Sequence, residues 1–226
     1  APAERAKAMG VFGFVVSGGG SLGVLLGGVL TDKFDWHWIF LVNLPIGVAV
    51  FAYDGWTLPF GDKGHTQSPQ QYVETLSSTS GLPHVLVRRN MQRIHAMLVN
   101  MGAVLRGLTR GLDLDDRNSP YSFFPTTDCL GLVMPSNSPA VNSLWLPAIA
   151  LKIPVVIKPG RDEPWTPYRL IQSFIAAGVP AEAFGFYPTD HEGADAILRL
   201  CGRALVFGDK STTEKYAGNP AIQVHG

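Results

Sequence analysis

One short run in the C-terminal half carries residue types suited to holding a phosphate. Phe207-Gly208-Asp209-Lys210-Ser211 reads as the end of a strand turning directly into a helix. A helix N-terminus presents unpaired N–H groups and the positive end of the macrodipole, and both favour a pyrophosphate. Gly208 would permit close approach of a ligand, and Lys210 adds positive charge. Asp209 opposes this reading, because a carboxylate beside phosphate is repulsive unless it points away. The same residues also describe an ordinary strand-to-helix turn, and no GxGxxG fingerprint separates the two. Other chemistry is sparse. Cys129 and Cys201 lack metal-ligand spacing and sit among apolar neighbours, as small buried hydrophobes do. Asp113, Asp115, Asp116 and Asn118 lack the glycine and closing glutamate of a calcium loop, so no metal site is expected. Arg88, Arg89 and Arg93, with His84 and His95, fit a solvated helix face better than a basic binding patch.

The elements that would position the turn alternate regularly from Leu130 onward. Gly131–Met134 reads as a short strand, Ala140–Lys152 as a helical segment and Pro154–Lys158 as a buried strand. Thr166 is a natural N-cap with Pro167 at the first helical position, and Gly178 ends that helix. Phe184–Tyr187 reads as a third strand. A helix containing Asp195–Cys201 stops at Gly202, Ala204–Phe207 is a fourth strand, and Ala221–Val224 begins a fifth. Ser211-Thr212-Thr213-Glu214 has the form of a capping box. This alternation predicts an α/β fold, a doubly wound parallel sheet whose ligands bind at the carboxyl ends of its strands. Upstream, residues 70–76 and 85–105 read as helices within a mostly helical stretch, 54–129.

The first quarter belongs to a different physical class. Val11–Leu30 contains no charged side chain, and at 1.5 Å per residue it makes about 30 Å of helix, the thickness of a hydrocarbon core. A second apolar stretch, Trp36–Tyr53, follows a short loop. Residues 1–53 are therefore expected to form a membrane segment of two helices, 11–30 and 36–53. Gly19, Gly23 and Gly27 share one helix face, which in lipid lets a neighbouring helix approach closely. Arg5 and Lys7 precede the first span against Lys33 alone in the loop, which places the N-terminus and the C-terminal domain in the cytoplasm. A bacterial inner-membrane location is expected for this arrangement, and a cytoplasmic one without the N-terminal segment. Ala1–Met9 shows no signal peptide and has the look of a start inside a longer protein. The sequence carries 18 basic and 18 acidic residues, so nothing electrostatic points to a nucleic-acid partner.

Gly19-Gly20-Ser21-Leu22-Gly23-Val24-Leu25-Leu26-Gly27-Gly28, followed by Asp35-Trp36-His37-Trp38-Ile39-Phe40-Leu41-Val42-Asn43-Leu44-Pro45, resembles the drug:proton antiporters of the major facilitator superfamily. The resemblance covers about residues 1–51, and Val24 replaces the proline that usually follows the middle glycine. It implies helices five and six of a fourteen-helix exporter. Two such helices cannot enclose a substrate path, so transport by this chain alone is not expected.

Pro135-Ser136-Asn137-Ser138-Pro139, Pro154-Val155-Val156-Ile157-Lys158-Pro159-Gly160, Thr166-Pro167 and Ala176-Ala177-Gly178-Val179-Pro180 are similar to the aldehyde dehydrogenase superfamily, nearest its acyl-CoA reductases. This resemblance covers about residues 55–226 and is strongest over 130–226. It implies the Rossmann-like cofactor half of an oxidoreductase using NAD or NADP on an aldehyde or acyl thioester, and it allows a homo-oligomer. Asn137 then matches the amide that holds the oxyanion during catalysis, and Lys158 the lysine that bonds the adenosine ribose. Glu163 would approach that ribose, and Gly208 and Ser211 would contact the pyrophosphate. Asp209-Lys210 departs from the usual F-T-G-S run, which leaves the phosphate geometry and the choice of NAD or NADP open. The family's nucleophilic cysteine and glutamate base follow this sheet in chain order. Neither Cys129 nor Cys201 stands in their place, so a chain closing at Gly226 is expected to be catalytically silent. The two resemblances meet near Phe51–Asp54 and imply a composite chain.

Overall fold

The computed structural model describes residues 44–61, 64–109, 125–216 and 218–225. Contacts divide the chain into two units, Ala1–Leu44 and Pro45–Gly226, and the second holds the elements that build the sheet domain. Helix α1, Leu44–Gly55, leads into a small antiparallel pair, β1 (Leu58–Pro59) and β2 (Thr66–Gln67). Helix α2, Pro69–Ser80, opens with the Ser68/Gln71 capping box and Pro69 in its first turn. The helix expected over 85–105 is two helices, α3 (His84–Val99) and α4 (Met101–Leu108). The break falls at Asn100, whose side-chain amide donates to Ala96 O at 2.7 Å and competes with the backbone ladder.

A five-stranded sheet follows. Its strands are β3 (Leu130–Val133), β4 (Val155–Lys158), β5 (Phe184–Phe186), β6 (Arg203–Phe207) and β7 (Ile222–His225). All pair in parallel, in the order β5-β4-β3-β6-β7. The crossovers are a 3₁₀ segment Pro139–Trp145 with α5 (Leu146–Ala150), then α6 (Trp165–Ala176), α7 (His191–Leu200) and α8 (Lys210–Tyr216). Helix α6 stops where Gly178 takes φ 94°, a left-handed conformation that favours glycine. From β3 the chain winds outward through β4 to β5, then crosses back to β6 and winds the other way. The expected α/β parallel sheet is present.

The sheet is packed on both faces, as a doubly wound sheet requires, with β3 and β4 at its most enclosed part. One face joins the main core, where Leu132, Val155 and Ile157 pack with Trp145, Leu146, Leu170 and Phe174. On the other, Ala204, Val206 and Ile222 cluster with Leu198 of α7.

The expectation of two membrane helices is corrected as far as the described residues reach. The span over 11–30 and residues 36–43 of the second lie outside them. From residue 44 the second stretch is α1, Leu44–Gly55, and its buried side chains pack into a protein core. Ile46, Ala49, Val50, Ala52 and Tyr53 are all buried. Arg169 of α6 anchors the end of α1, donating from Nε to Tyr53 O at 2.7 Å and from Nη2 to Trp56 O at 2.7 Å. Its Nη1 bonds Gln67 O at 3.0 Å, so one buried guanidinium ties α1 and the small hairpin to the sheet domain. The apolar character of this stretch serves a protein core. No helix among the described residues is long and apolar enough to cross a membrane.

Candidate functional site

The sheet reverses its winding between β3 and β6, and the crevice outside the carboxyl ends of these strands is where such folds bind ligands. A cleft of ≈ 980 Å³ lies there. Asn137, on the loop after β3, lines it, as do Lys158 at the end of β4 and Gly208 and Ser211 at the turn after β6. The register explains the meeting of the first two: Val133 pairs with Lys158, and Met134 N donates to Lys158 O at 2.9 Å. Lys158 also lines an adjoining cavity of ≈ 700 Å³ beside Pro159, Gly160 and Asp190. Partial burial lowers the pKa of its ammonium below the ordinary lysine value.

Glu163 is not brought to either cavity. It is 0% exposed, with Oε1 accepting from Thr166 N at 2.9 Å and Oε2 from the Asn142 amide at 3.3 Å. Burial pushes its pKa up to about 7 against those hydrogen bonds. Glu163 therefore serves the N-terminus of α6, the role expected of Thr166. The Thr166 hydroxyl instead pairs with Tyr72 OH at 2.6 Å.

The turn after β6 is arranged differently from the phosphate cradle the sequence allows. Asp209 Oδ1 accepts from Thr212 N at 3.0 Å, from Thr212 Oγ1 at 3.1 Å and from Ser211 Oγ at 2.7 Å. Asp209, and not Ser211, thus caps α8, and these bonds hold its carboxyl below the usual carboxylate range. A Cβ placed on Gly208 would meet the Thr212 side chain at 2.5 Å, so the turn packs against Thr212 where a side chain would otherwise stand. Lys210 does not line the cleft and pairs with Glu214 at 3.8 Å.

The structure adds residues that local sequence does not announce. Asp195 of α7 and Lys215 of α8 both line the cleft and form an ion pair at 2.7 Å, with Tyr216 OH also donating to Asp195. The hydrogen bonds from Lys215 and Tyr216 hold the Asp195 pKa below the ordinary aspartate value. His191 and His225 lie on the cleft wall, the latter stacked on Phe207 at 4.9 Å. Only the crossover of β6 between α7 and α8 brings Asp195 and Lys215 together.

These residues fit a nicotinamide dinucleotide in part. Lys158 presents a partly desolvated donor to the cleft, suited to sugar hydroxyls, and Asn137 offers a neutral donor nearby. The N-terminus of α8 does not fit a pyrophosphate, because the Asp209 carboxylate already occupies the amide that a phosphate oxygen would use. Neither Cys129 nor Cys201 lines the cleft.

Comparisons with known proteins point in two directions. The family model of the Major Facilitator Superfamily matches residues 1–184. The puromycin resistance protein pur8 of Streptomyces alboniger is 49% identical over 47 residues, 21% of this chain and 9% of that protein. Multidrug resistance protein 3 of Bacillus subtilis is 48% identical over 46 residues, 20% of this chain and 9% of its own length. Among solved structures, an oxidoreductase from Marinobacter aquaeolei matches with a TM-score of 0.63 at 14% identity, over 83% of this chain and 40% of that one. Betaine aldehyde dehydrogenase from Staphylococcus aureus, solved in complex with NAD+, matches at 0.54 and 17% identity, over 81% and 36%. The chain spans about a tenth of those curated relatives and under half of those solved chains. By its family match the chain belongs to the Major Facilitator Superfamily, while the fold of its described residues is that of the aldehyde dehydrogenases.

Proposed function

We propose that the sheet domain binds NAD or NADP in the switch-point cleft, as the cofactor half of an oxidoreductase acting on an aldehyde or an acyl thioester. The carrying observation is that Asn137, Lys158, Gly208 and Ser211, named from the resemblance, line one cavity at the strand ends. The fold supports it, since a neighbour of the same fold is solved in complex with NAD+. When bound, the cofactor supplies a hydride acceptor or donor. Lys158 donates to the hydroxyls of the adenosine ribose, where its partly buried position strengthens a charge-assisted bond. Asn137 aims an uncharged donor at a carbonyl oxygen that gains negative charge. Lys158 and Lys215 both line the cleft and would supply the positive charge that a dinucleotide's phosphates require. The described residues place no thiolate in the cleft, so binding without turnover is expected of them.

Thermal unfolding of the full chain with and without NAD+ or NADP+ tests this reading. A ligand that binds only the folded state raises the midpoint with concentration, by mass action. A midpoint unmoved by either cofactor at millimolar concentration overturns the proposal.

The family match, over residues 1–184, favours a second reading, in which the N-terminal part, about residues 1–51, is part of a multidrug exporter carried at the membrane. Carbonate extraction of membranes from cells expressing the full chain tests it. Retention in the pellet supports a membrane anchor, and release into the supernatant contradicts it.

A further inference from the structure

The two cysteines lie 72 positions apart in sequence, yet their sulfurs are 3.4 Å apart, with the Cys129 thiol donating to Cys201 Sγ. Both are free thiols. Cys129 immediately precedes β3 and Cys201 caps the C-terminus of α7, so the pair sits at the end of the sheet opposite the cleft. Tight packing fixes this contact. A Cβ on Gly131 would meet Cys201 Cβ at 3.0 Å and Sγ at 3.1 Å, and one on Gly202 would meet Thr127 Oγ1 at 2.9 Å. Thr127 Oγ1 in turn donates to Cys129 O at 2.5 Å, clamping the segment that carries the first thiol. Only residues without a side chain let β3 and the end of α7 approach this closely. A disulfide needs the sulfurs about 1.4 Å nearer than they are, a distance within reach of side-chain rotation. The two thiols differ in access, Cys129 being partly exposed and Cys201 only 6% exposed.

We propose that Cys129 and Cys201 form a dithiol that closes reversibly to an intramolecular disulfide, a modification that locks α7 to β3 behind the cleft. The oxidant is a low-molecular-weight disulfide. Cys129, as its thiolate, attacks one sulfur of that disulfide, forms a mixed disulfide and releases one thiolate. The Cys201 thiol gives up its proton and attacks Cys129 Sγ, expelling the second thiolate. Two protein S–H groups are oxidised to one S–S bond, and one small disulfide is reduced to two thiols. The bond joins two elements that both contribute to the cleft lining, the end of β3 with the following run to Asn137, and α7 through Ala194, Asp195 and Leu198. Closing a loop this long restricts the unfolded chain and stabilises the fold.

The test is incubation of the full chain with oxidised glutathione, followed by peptide mapping without reductant and alkylation under denaturing conditions. The expected result is a monomer with the Cys129 and Cys201 peptides joined and no alkylatable thiol. Its unfolding midpoint should rise by about 5 °C or more and return on reduction. Cys201→Ser is expected to stop at a stable glutathione adduct on Cys129, and Cys201→Ala serves if that variant does not fold. Any of three results overturns the proposal: both cysteines still alkylated, a wild-type adduct on Cys129 that Cys201 does not resolve, or a disulfide between two chains.

Discussion

The Asp209 carboxylate accepts the Thr212 amide at 3.0 Å, so the first turn of α8 is capped by the chain's own anion. The run that looked most like a phosphate cradle has its donor spoken for, and its lysine faces Glu214. What the cleft offers a dinucleotide is therefore concentrated on the other side, at the ends of β3 and β4.

Removing that negative charge while keeping an acceptor should help an anionic ligand. Asp209→Asn retains a side-chain oxygen for the Thr212 amide and leaves α8 capped. Its affinity for NADH is expected to rise about threefold to tenfold at low salt and to fall back toward wild type as ionic strength increases. Fluorescence titrations at two salt concentrations check this.

Arg169 is 2% exposed and donates to the carbonyls of Tyr53, Gln67 and Trp56. Arg169→Met leaves these three acceptors without their donor. The expected loss is about 3 kcal/mol of stability, read as a lower urea midpoint. A variant as stable as wild type would mean that α1 is not anchored through this residue.

Glu163 gives the fold a pH dependence. Its pKa of about 7 lies above the ordinary 4.5, so between those values the folded chain holds a proton that the unfolded chain releases. Its contribution to stability is greatest below pH 4.5 and declines as pH rises toward 7, by about 3 kcal/mol from this group. Glu163→Gln cannot ionise and should lose that component. Urea midpoints of both proteins at acid and neutral pH give the difference and cancel the other titrating groups.

Much of the sheet was legible because its strands are short apolar runs closed by proline or glycine. Val155–Lys158 and Arg203–Phe207 fall within one residue of where those signals put them, and Gly178 ends α6 as expected. Other features were not legible, because tertiary neighbours decide them. Trp36–Tyr53 has the predominantly apolar, acid-free character of a membrane span, but its described part, from residue 44, supplies a helix to a protein core. Apolarity alone does not say whether lipid or protein will surround such a run. Glu163 lies close enough to Lys158 to suggest a shared ligand, yet the turn into α6 carries it inward. Asp195 with Lys215, and Cys129 with Cys201, meet only because the sheet crosses back on itself. Asn137 and Lys158 came from motif resemblance, which encodes that crossing implicitly.

The most direct measurement is a fluorescence titration of the full chain with NADH, set beside Lys158→Ala. Saturable binding by the wild type, weakened about tenfold or more in a variant whose circular dichroism is unchanged, is the expected result. A folded wild-type chain that shows no saturable change at millimolar NADH, or that binds equally well without Lys158, contradicts the assignment of the cleft.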